Sequence, residues 1–255
     1  MRQHTDHRGT GQDLGSEITD TMLSFVVAAA ALSPQGAART SRRAALSGFC
    51  TVAAPAIYTV AAPAFAFENG VADMALYSGL DKKPGQPPPD LGQRARTLPR
   101  GDSLNGALRA CDAAPNCFST SALDDPAHLL SKWKPGAGGA SKAMAQLLEV
   151  VKAYPPGQGK VDGGGFRIVT ATPEYLYVQY ESLKYGFIDD VEFAIGGDDA
   201  ALVQVRSASR LGFLDLGVNA KRLNWLSARL RALGWEAAEL TPATHPYYFD
   251  KNRRS

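Results

Sequence analysis

Two stretches of this chain carry residue types that could do chemistry together: Asp189-Asp190-Val191-Glu192 and Arg206-Ser207-Ala208-Ser209-Arg210. Side chains alternate faces along a strand. Asp190 and Glu192 therefore share one face of the first stretch, while Asp189 shares the other with Val191 and Phe193. In the second, Arg206 and Arg210 share a face, opposite Val203, Val205, Ser207 and Ser209. As neighbours, the two strands would join Asp190, Glu192, Arg206 and Arg210 in a cross-strand ladder of ion pairs. The alternative is a polar pocket in which Arg206 or Arg210 grips an anionic ligand. The charge distribution draws the same blocks together. Residues 172–202 hold seven acids against Lys184, and residues 206–231 hold six bases against Asp215.

Other chemistries find less support. Asp189-Asp190-x-Glu192 lacks the ligand spacing of a calcium loop. Ser207 and Ser209 lack the strand-to-helix elbow of a hydrolase nucleophile. Gly163-Gly164-Gly165 precedes a strand-like run rather than a helix, so it reads as a loop and not as a phosphate cradle. Cys111 and Cys117, with two distant histidines, do not make a zinc set. No metal or cofactor is expected. In an oxidising compartment the two cysteines read as a structural disulfide, with a regulatory pair as the alternative. His128 has no identifiable partner for base catalysis and reads as a capping or packing residue, and His245 as a solvated one.

The elements that must hold these residues are legible from periodicity. Met144, Leu147, Leu148, Val151 and Tyr154 form one helical stripe over 141–154, with Ser141 as cap and Pro155-Pro156 as stop. Four strand-like runs follow at 166–172, 175–182, 187–195 and 202–209, separated by turn residues. A second helix over 219–233 carries Leu223, Leu226, Leu230 and Leu233, with Asn219 as cap and Gly234 as terminator. The expected fold class is α+β: an antiparallel sheet of about four strands with flanking helices on one face.

Composition divides the 255 residues. From residue 21 to residue 67 there is no Asp or Glu, and about 64% of positions are apolar. Within this block, 22–31 resembles a signal-peptide core, too short to span a bilayer. Ser41-Arg42-Arg43-Ala44-Ala45-Leu46 matches a twin-arginine export signature, and Ala64-Phe65-Ala66 a signal-peptidase site. Residues 1–66 are therefore expected to be a bipartite plastid presequence, with either Met1 or Met22 as its start. The expected locale is the thylakoid lumen of an alga, with a bacterial periplasm as the alternative. Removing residues 1–66 would leave 189 residues of charge +1 and no transmembrane anchor. That balance excludes a nucleic-acid binder driven by bulk charge. Residues 67–101, with Pro84-Gly85-Gln86-Pro87-Pro88-Pro89, read as a Pro-rich linker or arm. Residues 102–240 read as the α+β domain and 241–255 as a polar tail.

Four segments resemble a known family. They are Ala110-Cys111 with Pro115-Asn116-Cys117; Tyr185-Gly186-Phe187-Ile188-Asp189-Asp190-Val191-Glu192-Phe193; Val205-Arg206-Ser207-Ala208-Ser209-Arg210-Leu211-Gly212; and Asp215-Leu216-Gly217-Val218-Asn219-Ala220-Lys221-Arg222. Together these look like the domain-of-unknown-function 1499 family of bacteria and plastids, over about residues 103–233. The family's cysteine segment usually has a second Pro near the first Cys and Val after the second, where Asp112 and Phe118 stand here. The resemblance implies that Asp189, Asp190, Glu192, Arg206, Ser207, Ser209, Arg210, Asp215, Asn219 and Arg222 belong to one shared site or scaffold, and it brings no activity. The expectation is a binding or assembly factor near thylakoid membrane complexes. The alternative is an enzyme, a hydrolase or isomerase, acting on a small anionic ligand.

Overall fold

The computed structural model describes residues 67–98, 101–197 and 199–253; the expected presequence at 1–66 and Asp198 of the acidic block lie outside them. The core of the fold is a five-stranded antiparallel sheet. Its strands are β3 (Cys117–Ser119), β4 (Gly165–Ala171), β5 (Tyr175–Glu181), β6 (Ile188–Gly196) and β7 (Asp199–Ser209), in the order β3-β7-β6-β5-β4. A separate ribbon pairs β1 (Arg94–Thr97) with β2 (Ser103–Ala107). The α+β class stands, with one strand more than the sequence shows. At three residues β3 is too short to display a period, and it exists because it pairs with the far end of β7.

Helices α1 (Gly139–Lys152) and α2 (Val218–Ala232) cover one face of the sheet. Met144, Leu147, Val151 and Tyr154 from the first stripe, and Leu223, Leu226 and Leu230 from the second, meet Val178, Val191, Phe193, Val203 and Val205 in a single apolar core. Leu233, expected on the same seam, is exposed, because Gly234 turns the chain away with φ 84°. The expected caps are both reassigned. Gly138 precedes α1, and Ser141 donates to its carbonyl instead of capping. Gly217 precedes α2, and the carboxylate of Asp215 accepts the N–H groups of Gly217 and Asn219. A carboxylate serves these free donors better than the Asn219 amide would, and so the Asn219 side chain is released for other work.

The C-terminal segment packs as well. In α3 (Pro246–Lys251), Tyr248 is fully buried against Phe118. That contact draws in His245, which is buried with Nε2 on the Leu129 carbonyl rather than solvated. Among the described residues no helix is long and apolar enough to cross a membrane.

Residues 82–93 run over the sheet face that the helices leave open. Lys83 N–H donates to the Tyr185 carbonyl, Arg210 to the Gly85 carbonyl, Gly92 N–H to Glu192, and Gln93 to the Ile195 carbonyl. Beneath this arm Lys82 approaches Glu181 at 3.6 Å, with both side chains buried. Neither Lys82 Nζ nor either Glu181 oxygen has a hydrogen bond. Burial pushes the Glu181 carboxyl up to about 7, against the opposing pull of Lys82. An acid whose folded pKa exceeds its unfolded one stabilises the fold at low pH and loses that contribution as pH rises through the folded value. Wild-type stability should therefore fall as pH climbs from about 5 to about 8. Glu181→Gln should flatten that slope in urea titrations, and an unchanged slope would contradict the assignment.

Candidate functional site

The two faces of the sheet divide the ten residues into two groups. On the arm-covered face, Glu192 lies directly opposite Arg206 across the β6–β7 pairing and meets it at 3.3 Å. Asp190 takes two hydrogen bonds from Arg210, at 2.9 and 2.7 Å, and one from the Tyr177 hydroxyl. Burial and the neighbouring Asp190 carboxylate push that hydroxyl up to about 12. Tyr175 donates to Glu192. This is the expected ladder, and only 5% of either guanidinium side chain is exposed.

The second group gathers on the helix face around Arg222, which is 0% exposed. Its Nε and Nη2 donate to the two oxygens of Asp162, Nη2 also to Asp189, and Nη1 to Ser207 and Asn219. The guanidinium lies 4.6 Å over the Tyr180 ring. All its donor groups are engaged, and the paired carboxylates hold its pKa well above the ordinary value despite burial. Burial outweighs the same pairing at Asp162, so its carboxyl is raised. Asp215 is raised by burial too, against hydrogen bonds from Tyr248 and Asn219. The freed Asn219 amide donates to the Asn116 carbonyl, Ser209 Oγ and Asp215.

Sequence reasoning missed Asp162, Tyr154 and Tyr248, although each holds a member of this group. Tyr154 was legible as a core residue, yet its hydroxyl donates to Asp162. Asp162 sits in a loop without periodicity, and nothing in its neighbours marks it. The partner missing for His128 is Asp125, at 2.6 Å from Nδ1. Nε2 is spent on the Ala114 carbonyl, however, so this histidine secures a loop. That loop is closed by the Cys111–Cys117 disulfide.

The helix-face cluster opens to the surface at one end of the sheet. A cleft of about 390 Å³ lies among the loop before β4, the β5–β6 hairpin and the β7–α2 loop. Asp162, Asp189, Ser209 and Asp215 line its polar part; Tyr185, Phe187, Leu211, Leu214 and Leu216 line its apolar part and are exposed. Among the described residues three non-glycine positions have positive φ: Lys160 at 64°, Asp162 at 53° and Leu216 at 57°. All three line this cleft. Such backbone is costly and persists where surrounding contacts over-determine it. At Leu216 the Asn252 side chain does so, accepting the N–H groups of Asp215 and Leu216.

Among the described residues no three His, Cys, Asp or Glu side chains form a group that could hold a metal ion. No curated protein and no solved structure matches the chain. A family model described as "Protein of unknown function (DUF1499)" matches residues 107–230, a span that includes all ten residues and every residue lining the cleft. Residues 107–230 are thus a domain of the DUF1499 family.

Proposed function

We propose that this chain is a soluble binding or assembly factor of the thylakoid lumen, working beside photosynthetic membrane complexes, with the cleft as its contact surface. The observation that carries the reading is the composition of the cleft. Five exposed apolar side chains from two loops surround polar groups fixed from behind by Arg222 and Asn219. Contiguous exposed apolar surface on a folded domain marks an interaction site, and a rigid polar floor supplies orientation. The lumenal setting rests on the twin-arginine signature and the acid-free block at residues 21–67. An enzyme gripping an anionic molecule through Arg206 or Arg210 fits less well, because both side chains are buried and ion-paired, with Glu192 and Asp190 respectively.

Affinity purification of tagged protein from thylakoids tests this. The wild type should recover membrane-complex subunits. The double variant Phe187→Asp, Leu211→Asp changes only exposed side chains and should recover them about tenfold less, as for loss of an interface anchor. Equal recovery by both, or recovery of no such subunit, would overturn the reading.

A further inference from the structure

We infer that the two loops at the mouth of the cleft dock on an anionic bilayer surface, with their apolar side chains among the lipids and lysine ammonium groups at the headgroups. The inference rests on the contact surface proposed above and names a lipid surface as what that surface meets. It starts from where the exposed apolar side chains lie. Among the described residues twelve large apolar side chains are exposed. Six of them, Tyr185, Phe187, Leu211, Phe213, Leu214 and Leu216, belong to the β5–β6 hairpin and the β7–α2 loop. Five of the six line the cleft, which fixes the two loops beside each other. Phe213 is the most exposed of the six, at 57%, and stands outside the lining. Half of the exposed apolar side chains are therefore gathered at one end of the sheet, where entry into lipid would remove them from water.

The polar groups of these loops favour a lipid over a protein partner. Ser182 is committed to the Phe187 N–H, Arg210 is paired with Asp190, and Asp215 is buried. That leaves Lys184 and the Tyr185 hydroxyl. Around them stand Lys160 in the cleft lining, Lys221 reaching back over Gly217, and Lys83, whose N–H donates to the Tyr185 carbonyl. All four lysines are exposed, against one exposed acid, Asp81, on the adjoining part of the arm. Protein interfaces are depleted in lysine and rely on direct hydrogen bonds. Lysines among Tyr, Phe and Leu suit a headgroup layer, where the stem lies on apolar surface and the ammonium meets phosphate. Lys184 already has this posture, its Nζ 5.1 Å over the Tyr185 ring. Counted to its floor the cleft is neutral, with Asp162, Asp189 and Asp215 against Lys160, Lys184 and, behind them, Arg222. Depth separates the signs. The three carboxylates are buried, the lysines are exposed, and Lys83 and Lys221 add to the outer layer. The layer that first meets a surface is cationic, which selects anionic headgroups.

The probe is a phosphatidylcholine vesicle, with and without about 30% phosphatidylglycerol, floated with the full chain. Binding to the anionic vesicles is expected, about tenfold weaker to the neutral ones and falling with added salt. Phe213→Asp with Leu214→Asp should weaken anionic binding about tenfold. Replacing Lys83, Lys160, Lys184 and Lys221 by Gln should do the same. Phe213→Trp reports position: the added indole fluorescence, read against the wild-type background of Trp133, Trp225 and Trp235, should be quenched by lipids brominated on their chains. These loop-specific readouts separate docking through this face from any contribution of residues 1–66. Equal binding of wild type and the Phe213, Leu214 double variant, an unquenched indole, or equal binding to neutral and anionic vesicles would overturn the inference. Recovery of membrane-complex subunits without vesicle binding would assign the loops to a protein partner, so this failure is distinct from failure of the purification experiment.

Discussion

Arg222→Met should destabilise the domain by about 3–5 kcal/mol, the cost of removing one partner from a buried ion pair. The methionine fills much of the volume and stays apolar, so the loss is electrostatic rather than a cavity. Asp162 and Asp189 would then face each other beneath the helices without a cation, and Ser207 and Asn219 would lose a donor. A pH signature separates this mechanism from loss of packing. Asp162 already has a raised pKa through burial, and without Arg222 it rises further. A folded pKa above the unfolded one means that folding takes up a proton, so the penalty shrinks at low pH and grows as pH rises. Urea midpoints of wild type and variant should therefore lie closer together near pH 5 than near pH 8. A penalty under about 1 kcal/mol at neutral pH, or one independent of pH, would remove Arg222 from the centre of the fold.

The second large effect concerns the loop closed by Cys111 and Cys117. Replacing both by serine should cost about 2 kcal/mol, as expected for a loop of this length. The consequence is directional. The loop offers three successive carbonyls to distant donors: Ala114 to His128, Pro115 to Asn252, and Asn116 to the Ser209 N–H and Asn219. The Asn116 side chain in turn donates to the Gly212 carbonyl, 2.6 Å away. Loosening the loop therefore releases the segment that carries Leu211, Leu214 and Leu216. Amide exchange at residues 209–219 should accelerate about tenfold or more in the double serine variant, with α1 little affected. A dithiol reductant should reproduce the effect on wild type. Uniform acceleration through the whole sheet would show instead that the disulfide supports only global stability.

Much of this arrangement was legible in the chain. Alternation along 187–195 and 202–209 correctly separated Asp189 from Asp190 and Ser207 from Arg206, because a strand admits only two faces. It also anticipated the ladder, whose register the short turn between β6 and β7 enforces. What alternation lacks is depth. The ten residues looked like one site, yet the sheet itself stands between Arg206 and Arg222. The acceptors that organise Arg222 include Asp162, sixty positions away in an aperiodic loop. Asn219 shows the same limit. Its position at a helix start reads as a cap, and only the Asp215 carboxylate, better suited to that role, reveals that its amide serves elsewhere.

The arm over the sheet sets an order of assembly. Its anchors join residues about a hundred positions apart, from Gly92 to Glu192, Gln93 to Ile195 and Gly85 to Arg210. Loop closure over such separations comes late in folding. During synthesis the arm emerges first, yet it has nothing to bind until β6 and β7 have paired. A helix-packed sheet with an undocked arm is thus the expected last intermediate. In it the Glu192–Arg206 and Asp190–Arg210 pairs are wet and Glu181 is free to ionise, so docking of the arm is the step at which the polar face loses its water.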